Sequence, residues 1–550
     1  MGARAELPSE HDFVIVGAGS AGCVLANRLT EDGAHSVLLL EAGESDRRLV
    51  TSIPVAWLAA SSTPALGWGY QSEPEAATQG RILPQPRGRL LGGTSSINGM
   101  MYSRGNPGDY DRWRDLGLRG WGFADVLPYF KRMETSWRGE GVFHGGSGPL
   151  RVSRQPADAF LTPQMAQTAA SLGYRELADF HAMHAEGFGL PDFTIRHGRR
   201  DSTASAYLDP ARSRGNLIVQ TGAHATRVLI ERGRAVGVEY RKRGRALVAR
   251  AAREVILSAG AFNSPQLLLL SGVGPPDELE AAGLKPLHAL PGVGKNLQDH
   301  PLVVAVYQAS SPCTFERTLR LDRFARALLA WQLAGSGPLA SNPISIQGFL
   351  RLSADARGPD VQFQVSHVSM LARLWFPGWR RGAGHQFTAV ALSLRPAGRG
   401  EVRLRTSDPL AMPVIRLGLL TTDGDRRMAR EMLKLTRRFF ATAPVAALVS
   451  GELAPGREAR SDDELDAYVR TTIQTGMHPT STCAMGTDEH SVLDAELNVR
   501  GIEALRVVDA AAMPDIVSGN TNAPTIMIAE RASDLILGRA PLAPAVLTAG

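Results

Sequence analysis

A short apolar strand that runs into three spaced glycines and then into a helix leaves a chain few ways to fold. In Asp12-Phe-Val-Ile-Val-Gly-Ala-Gly-Ser-Ala-Gly22, residues 13–16 suit a strand buried on both faces. Ala21, Val24, Leu25, Arg28 and Leu29 then fall at helical spacing, with Gly33 as a stop. Residues 36–40 supply a second buried strand ending at Glu41, roughly twenty residues beyond the glycines. Gly17 permits the tight turn, Gly19 lets backbone N–H groups approach a pyrophosphate, and Gly22 allows helix and strand to pack closely. The helix N-terminus favours negative charge. The Glu41 carboxylate suits ribose hydroxyls and would repel the 2′-phosphate of NADP. The whole order predicts a dinucleotide site rather than an empty glycine turn. It does not separate FAD from NAD.

The remaining bulk properties narrow the class. A chain of 550 residues with 44% hydrophobic and 21% charged residues can bury a large core in more than one domain. The formal charge of +6 comes from arginine, since the lysines are only Lys131, Lys242, Lys285, Lys295 and Lys434. That bias reads as a GC-rich, bacterial-type genome, and the scattering of the basic residues among nearly as many acids argues against nucleic acid as a partner. Residues 1–8 lack the apolar run of a secretory signal, so no export is expected. Apolar stretches such as 255–273 are broken by Gly, Asn, Ser and Pro, and none reads as a spanning helix. Three separated cysteines, Cys23, Cys313 and Cys483, predict neither a disulfide framework nor a metal site, and fit a reducing cytoplasm.

Two further glycine-rich phrases point to the cofactor. They are Gly88-Arg-Leu-Leu-Gly-Gly-Thr-Ser-Ser-Ile-Asn-Gly-Met-Met-Tyr102 and Gly260-Ala-Phe-Asn-Ser-Pro-Gln-Leu-Leu-Leu-Leu-Ser-Gly-Val-Gly274. With Pro291-Gly-Val-Gly-Lys-Asn-Leu-Gln-Asp-His-Pro301, residues 505–510 and residues 519–530, they resemble the glucose-methanol-choline (GMC) oxidoreductase family along nearly the whole chain. The resemblance implies bound FAD and alcohol oxidation. Chemically, residues 92–95 can bring backbone and hydroxyl donors against a polar cofactor face, and Asn98 adds an amide. Ser264 is expected to cap a helix, with Pro265 in its first turn and Gly272 at its end, so that residues 264–274 read as scaffold rather than ligand contact. Beyond Gly17, Gly19, Gly22 and Glu41, the resemblance implies cofactor contacts at Ser20, Ala21, Ala42, Trp68, Arg89, Leu91, Gly92, Gly93, Thr94, Ser95, Asn98, Gly99, Met100, Val228, Ala259 and Gly260. It adds Asp509, Ala510, Asn520, Thr521, Asn522 and Thr525 near the C-terminus. Members that bind FAD covalently carry a histidine just before the asparagine of the first phrase. Here Ile97 stands in that place, which predicts non-covalent FAD.

Taking hydride from an alcohol carbon requires that the hydroxyl proton leave too, so a base must lie near the substrate oxygen. His478-Pro-Thr-Ser-Thr-Cys-Ala-Met-Gly486 is similar to the family's catalytic histidine segment, departing at Thr480, Ser481 and Ala484 without disturbing His478. His300, His367 and His385 read as structural histidines. The family's second catalytic position falls on Asn520, which cannot take a proton but can hydrogen-bond the substrate oxygen and hold the α-carbon toward flavin N5. Pro524 suits the first turn of a helix carrying Ile526, Met527, Ala529, Glu530 and Leu535, ended by Gly538. By resemblance the N-terminus of that helix faces the flavin pyrimidine, and Asp509 lies along the ribityl and pyrophosphate region. Cys483 is expected to be buried filler, not a nucleophile, and the Ala/Pro-rich tail after Gly538 a loosely held end.

The expected fold is α/β, α+β over the whole chain. A discontinuous Rossmann-like FAD-binding domain covers 1–158, 203–305 and 474–545; a substrate domain with a mainly antiparallel sheet and helices covers 159–202 and 306–473. Residues 371–381, and a helix bearing Arg317, Arg320, Asp322, Arg323 and Arg326 with Phe324, Leu328 and Trp331, could border an entrance or touch a membrane surface. A solvated face over ordinary core is the favoured reading. No aromatic and acidic cage for choline is recognisable. The resulting expectation is an FAD-dependent oxidoreductase that converts a primary alcohol, apolar or choline-like, to the aldehyde, with His478 as base and oxygen or a quinone-type acceptor taking the electrons. The alternative is a non-redox relative, a lyase or light-driven decarboxylase.

Overall fold

The computed structural model describes residues 10–155, 159–183 and 185–547. The amino-terminal segment read for a leader and the domain boundary residue 158 lie outside the described residues. The opening motif folds as strand Glu10–Val16, helix Ser20–Leu29 and strand Val37–Leu40. Phe13, Val14, Ile15 and Val37 to Leu40 are all buried, as unbroken apolar runs require when helices cover both faces of a parallel sheet. Leu217–Gln220 pairs in parallel outside Val37–Leu40, and Glu10–Val16 pairs in parallel with Arg245–Leu257 on its other side.

Arg245–Leu257 is thirteen residues long and changes partners along its length. Its start pairs antiparallel with Arg234–Lys242, while Val255, Ile256 and Leu257 pair in parallel with Leu505, Arg506 and Val507. Two tight hairpins join His224–Glu231, Arg234–Lys242 and Arg245–Leu257 through Arg232-Gly233 and Arg243-Gly244, all four residues at positive φ. This completes a seven-stranded sheet assembled from the first quarter, the middle and the C-terminal part of the chain.

A second seven-stranded sheet is antiparallel throughout, in the order Val449–Ala454, Pro301–Ala309, Gln386–Ser393, Val361–Ser366, Ile344–Leu350, Gly187–Gly189, with Gln474–Thr475 also on Pro301–Ala309. Pro301–Ala309 straddles the expected boundary at 305/306. Its burial alternates strictly. Val303, Ala305 and Tyr307 share an apolar core with Phe439 and Phe440 of the Asp423–Ala441 helix, the Tyr307 ring stacked 3.9 Å from Phe440. Leu302, Val304 and Val306 are left for the opposite face.

Three local expectations change. The helix around Ser264 begins at Gly260, and Ser264 lies inside it. The helix start is held from outside by Asp509, whose Oδ2 accepts from Gly260 N at 2.8 Å and Ser264 Oγ at 2.6 Å, so no capping residue is needed within the segment. The tail after Gly538 is held rather than loose: Leu542, Ala545 and Leu547 pack on the main core, and Ala545 N donates to Ala124 O at 2.8 Å. The arginine-rich helix, Leu321–Ala334, buries Ala327 and Trp331 but leaves Leu321, Leu329 and Leu333 exposed, so its outer face is apolar as well as charged.

The Asn522–Ile536 helix is buried on nearly all sides, and its Glu530 carboxylate must therefore be matched inside the protein. Arg28, Arg132 and the Tyr207 hydroxyl meet it at 2.9, 2.7 and 2.8 Å. Glu530→Ala would take the shared carboxylate from Arg28 and Arg132, which keep Glu31 and Asp534 as partners, and would leave the buried Tyr207 hydroxyl unpaired. It should lower the unfolding free energy by about 1–3 kcal/mol in denaturant titration; an unchanged midpoint would contradict this account of the helix.

Candidate active site

One large cavity, of about 1040 Å³, lies between the two sheets. That exceeds an ordinary small-molecule site and leaves room for a cofactor together with a substrate. Of the sequence-predicted residues, Gly17, Gly19, Ser20, Ala21, Glu41, Ala42, Trp68, Gly93, Thr94, Asn98, Gly99 and Met100 line it. So do Ala259, Gly260, His478, Asp509, Ala510, Asn520, Thr521, Asn522 and Thr525. Gly22, Arg89, Leu91, Gly92, Ser95 and Val228 lie outside the lining and serve it from behind. Ser95 Oγ bonds Gly92 O within its own loop and Thr203 Oγ1 of a distant segment, and the Arg89 guanidinium sits 5.1 Å from the Trp68 ring. Val228 N bonds Ser271 Oγ, while Ala223, His224 and Ala225 of the same segment reach the cavity instead.

At the glycine end the walls are backbone. Gly17 has φ +97°, and a Cβ there would lie 2.5 Å from Ser258 O. A Cβ on Gly22 would lie 1.9 Å from Gly17 O, so helix and turn touch only because neither residue has a side chain in the way. Gly19, by contrast, faces open space, with nothing nearer a Cβ than Ser258 O at 3.9 Å. Ser20 Oγ donates to Asn522 Oδ1 at 2.7 Å and ties together the starts of two helices that carry no acid in their first turns. Both ends therefore present uncompensated N–H groups to the cavity. Glu41 stands at the end of its strand with its carboxyl oxygens on Ala18 N and Gly43 N, at 2.9 and 2.8 Å. Burial pushes its carboxyl up to about 7 against the pull of those amides. Amide donors at two helix starts, an open Gly19 and an acid at the neighbouring strand end fit the diphosphate and ribose of a dinucleotide.

The far end of the cavity holds a directional chain of hydrogen bonds. Gln362 Nε2 donates to Asn520 Oδ1 at 3.1 Å, so the Asn520 amide nitrogen is the end that turns to His478 Nε2, 3.0 Å away. His478 Nε2 then accepts and its proton is on Nδ1, which donates to His300 Nδ1 at 3.0 Å. His300 in turn carries its proton on Nε2 and donates it to Val517 O at 3.1 Å. Each step is consistent with the next, and the result is a neutral His478 with its Nε2 lone pair on the Asn520 and cavity side. Burial, then the nearby His300 and Arg87, holds the His478 pKa well below the usual 6.5. Asp299 is placed behind the pair, its Oδ1 accepting from the backbone N–H groups of both His300 and His478 at 2.8 Å.

Four members of this arrangement escaped sequence reasoning. His300, expected to be structural, is the direct partner of His478, and the phrase Gln298-Asp299-His300 that carries it was the available signal. His367 and His385 stay structural, bonded to Ser345 Oγ and Thr314 Oγ1. Gln362 lies in a strand with no motif around it. Arg87 lines the cavity with its guanidinium on Met477 O at 2.6 Å, and burial lowers its pKa to about 10. Gly476 leaves space for the imidazole: a Cβ there would lie 2.9 Å from His478 Nδ1. Cys483 is fully buried with its thiol pKa raised well above the ordinary value, chiefly by burial, and is inert filler as expected.

Comparison with known proteins agrees with this construction. Two models of the family described as GMC oxidoreductase match residues 11–302 and 396–529. The mitochondrial choline dehydrogenase of Mus musculus is 42% identical over 97% of this chain and 90% of that protein. The oxygen-dependent choline dehydrogenase of Vibrio vulnificus (strain YJ016) is 40% identical over 98% and 96%. Among solved structures, pyridoxine 4-oxidase from Mesorbium loti superposes with a TM-score of 0.86 at 31% identity, covering 96% of this chain and 99% of that one. Formate oxidase from Aspergillus oryzae gives a TM-score of 0.90 at 27% identity, covering 97% and 99%.

Two outcomes follow for the nucleotide end. Gly22→Val should yield protein with less than about a tenth of the wild-type bound flavin, because the new side chain has nowhere to go but into the Gly17 turn; a wild-type visible spectrum would contradict the packing account. Because Ile97 lines the cavity where a covalent link would need a nucleophile, acid precipitation should leave the yellow colour in the supernatant. Colour in the pellet would overturn the non-covalent reading.

Proposed function

The chain belongs to the GMC oxidoreductase family, and from that premise we propose that His478 and Asn520 are its catalytic residues. The protein is an FAD-dependent oxidoreductase acting on the CH–OH group of an alcohol. Bound FAD supplies the two-electron acceptor for the hydride that leaves the alcohol carbon. Everything else is done by this chain's side chains. His478 Nε2 takes the hydroxyl proton, and the carbonyl of the aldehyde forms as the C–H bond breaks. Asn520 Nδ2, held in place by Gln362, turns its donor from His478 to the substrate oxygen and orients the alcohol for hydride departure. The positive charge of Arg87 beside His478 opposes protonation of the resting imidazole and favours negative charge developing on the alcohol oxygen.

The observation that carries this reading is the fixed polarity from Gln362 through Asn520, His478 and His300 to Val517 O. The same reading keeps the division of the chain into 1–158, 203–305 and 474–545 for the cofactor and 159–202 and 306–473 for the substrate. Separation of the two seven-stranded sheets supports it, except that residues 301–305 and 474–475, given to the cofactor portion, pair in the antiparallel sheet. Oxygen as final acceptor has support in the relatives called oxygen-dependent, and peroxide released in air separates it from a quinone. Among the described residues no helix is long and apolar enough to cross a membrane. The free cysteines support a reducing compartment such as the cytoplasm. No observation favours the non-redox alternative.

His478→Ala should slow anaerobic flavin reduction by roughly 10²-fold or more while flavin content is kept. Loss of FAD, or an unchanged rate, would count against the role. The pH profile follows from the lowered His478 pKa. A base is competent when unprotonated, so the fraction available is already complete above the ordinary histidine pKa and falls only as the pH drops toward the lowered value. The groups that face the ring are His300, Arg87 and Asn520, with Asp299 on the backbone side. The reduction rate should be flat from about pH 7 to about pH 9 and decline only on the acid side; a rate rising through that range would contradict a neutral resting His478.

A further inference from the structure

We propose, resting on the alcohol oxidation just described, that the substrate is an uncharged apolar primary alcohol and not a quaternary ammonium alcohol, although the relatives are named for choline. The substrate wall is the inner face of the antiparallel sheet, and its register is explicit. Leu302 lies opposite Leu392, Val304 opposite Val390, and Val306 opposite Thr388. On the next strand Gln364 follows Val390 and Ser366 follows Thr388. Two polar members of this face, Thr388 and Gln364, already spend their donors within the protein, and Ser366 is the third. Thr388 Oγ1 donates to Val368 O at 2.8 Å, and Gln364 Nε2 is taken by Met101 Sδ and Gln347 Oε1. What remains toward the cavity is hydrocarbon together with the Ser366 hydroxyl and the Gln364 carbonyl oxygen, both uncharged.

Charge in the lining points the same way. Among the described residues lining the cavity, Glu41 and Asp509 are the only carboxylates, and both belong to the dinucleotide end. Glu41 is held by Ala18 N and Gly43 N; Asp509 is held by Gly260 N, Ser264 Oγ and Ala511 N. The full positive charges in the lining are Arg87, beside His478, and Arg373. A trimethylammonium group moved from water into this space would meet no counter-charge. Recognition by aromatic faces alone needs several rings converging on one point. Of the rings in the lining, Trp68 and Phe262 are engaged by Tyr70, 5.7 and 6.0 Å away, and Phe315 by Phe160 and His367, 6.5 and 6.2 Å away, which leaves Trp57 and Phe324 as single rings. Met370 and Leu374 line the cavity, and Leu371 and Trp379 of the same segment are 76% and 59% exposed. That segment is joined to the start of the Leu321–Ala334 helix by Trp375 N to Leu319 O and Leu321 N to Trp375 O, and Leu333 of this helix is 79% exposed. An apolar alcohol thus meets hydrocarbon on this segment, with Arg373 as its charged neighbour.

Choline and 3,3-dimethylbutan-1-ol make the decisive pair, because they share one shape and differ only in a cationic nitrogen against a carbon. Mixed anaerobically with the FAD-loaded enzyme, the neutral isostere should bleach the flavin at least about tenfold more efficiently than choline, and straight-chain alcohols should improve by about three- to fourfold per added methylene. Anaerobic calorimetry on enzyme whose FAD has first been reduced with dithionite, which can bind an alcohol but not oxidise it, should give the same order of affinities. Choline bleaching the flavin faster, or binding tighter, would overturn the proposed substrate class while leaving alcohol oxidation standing. Absence of bleaching by choline, the isostere and the whole alcohol series would overturn the underlying reading, and this inference with it.

Discussion

The proton on His300 Nε2, held by the carbonyl oxygen of Val517, decides the chemistry of the site three groups away. A histidine pair without a carboxylate has no built-in direction, since either ring can donate. Here both outer ends are fixed: a backbone carbonyl can only accept, and Gln362 holds the Asn520 oxygen so that its amide must donate. Between those ends one arrangement satisfies every contact, and it leaves His478 neutral with its Nε2 lone pair toward the cavity. Burial reinforces the result, because a charged imidazole in that position would lie near Arg87 with the His300 ring in contact.

Such a relay has to be assembled from distant pieces of chain. His300 precedes the first residue of the Pro301–Ala309 strand of the antiparallel sheet, Gln362 lies on that sheet, and Asn520 lies two residues before the Asn522–Ile536 helix. The two sheets meet along these residues, so the cavity and the relay are the same interface seen from two sides. At the other end, two helix starts tied through Ser20 and Asn522 offer unfilled N–H groups, whereas the Gly260–Leu270 helix is already capped by Asp509. Unmet positive polarity is thereby concentrated where a diphosphate belongs.

The parallel sheet was legible because buried strands write unbroken apolar runs, as residues 13–16 and 37–40 do, and because glycine spacing is imposed by contacts as close as Gly22 on Gly17. The Arg232-Gly233 and Arg243-Gly244 hairpins were overlooked because their signal is confined to two Arg-Gly pairs, between half-buried strands whose arginines follow no regular alternation. The site was half legible. His478 and Asn520 lie in recognisable phrases, but their orientation depends on Gln362, an isolated glutamine whose importance comes only from strand register, and on His300, which looks like any core histidine until its partner is seen. The start of the Gly260–Leu270 helix was misplaced for a related reason. Its cap comes from Asp509, some 250 residues away in sequence, and no local rule can find it. Residues such as Ser95 and Val228, which the family resemblance assigns to the cofactor, stand one layer behind the cavity, where they hold the loop or strand that faces it.

The direction of the proton chain is open to direct test. Nitrogen-15 chemical shifts of histidine-labelled protein at neutral pH, with the His478 signals assigned by their loss in His478→Gln, report which ring nitrogen carries hydrogen. A protonated Nδ1 and a bare Nε2 on His478 are predicted. A proton on Nε2, or a doubly protonated ring, would contradict the account of how this site makes its base.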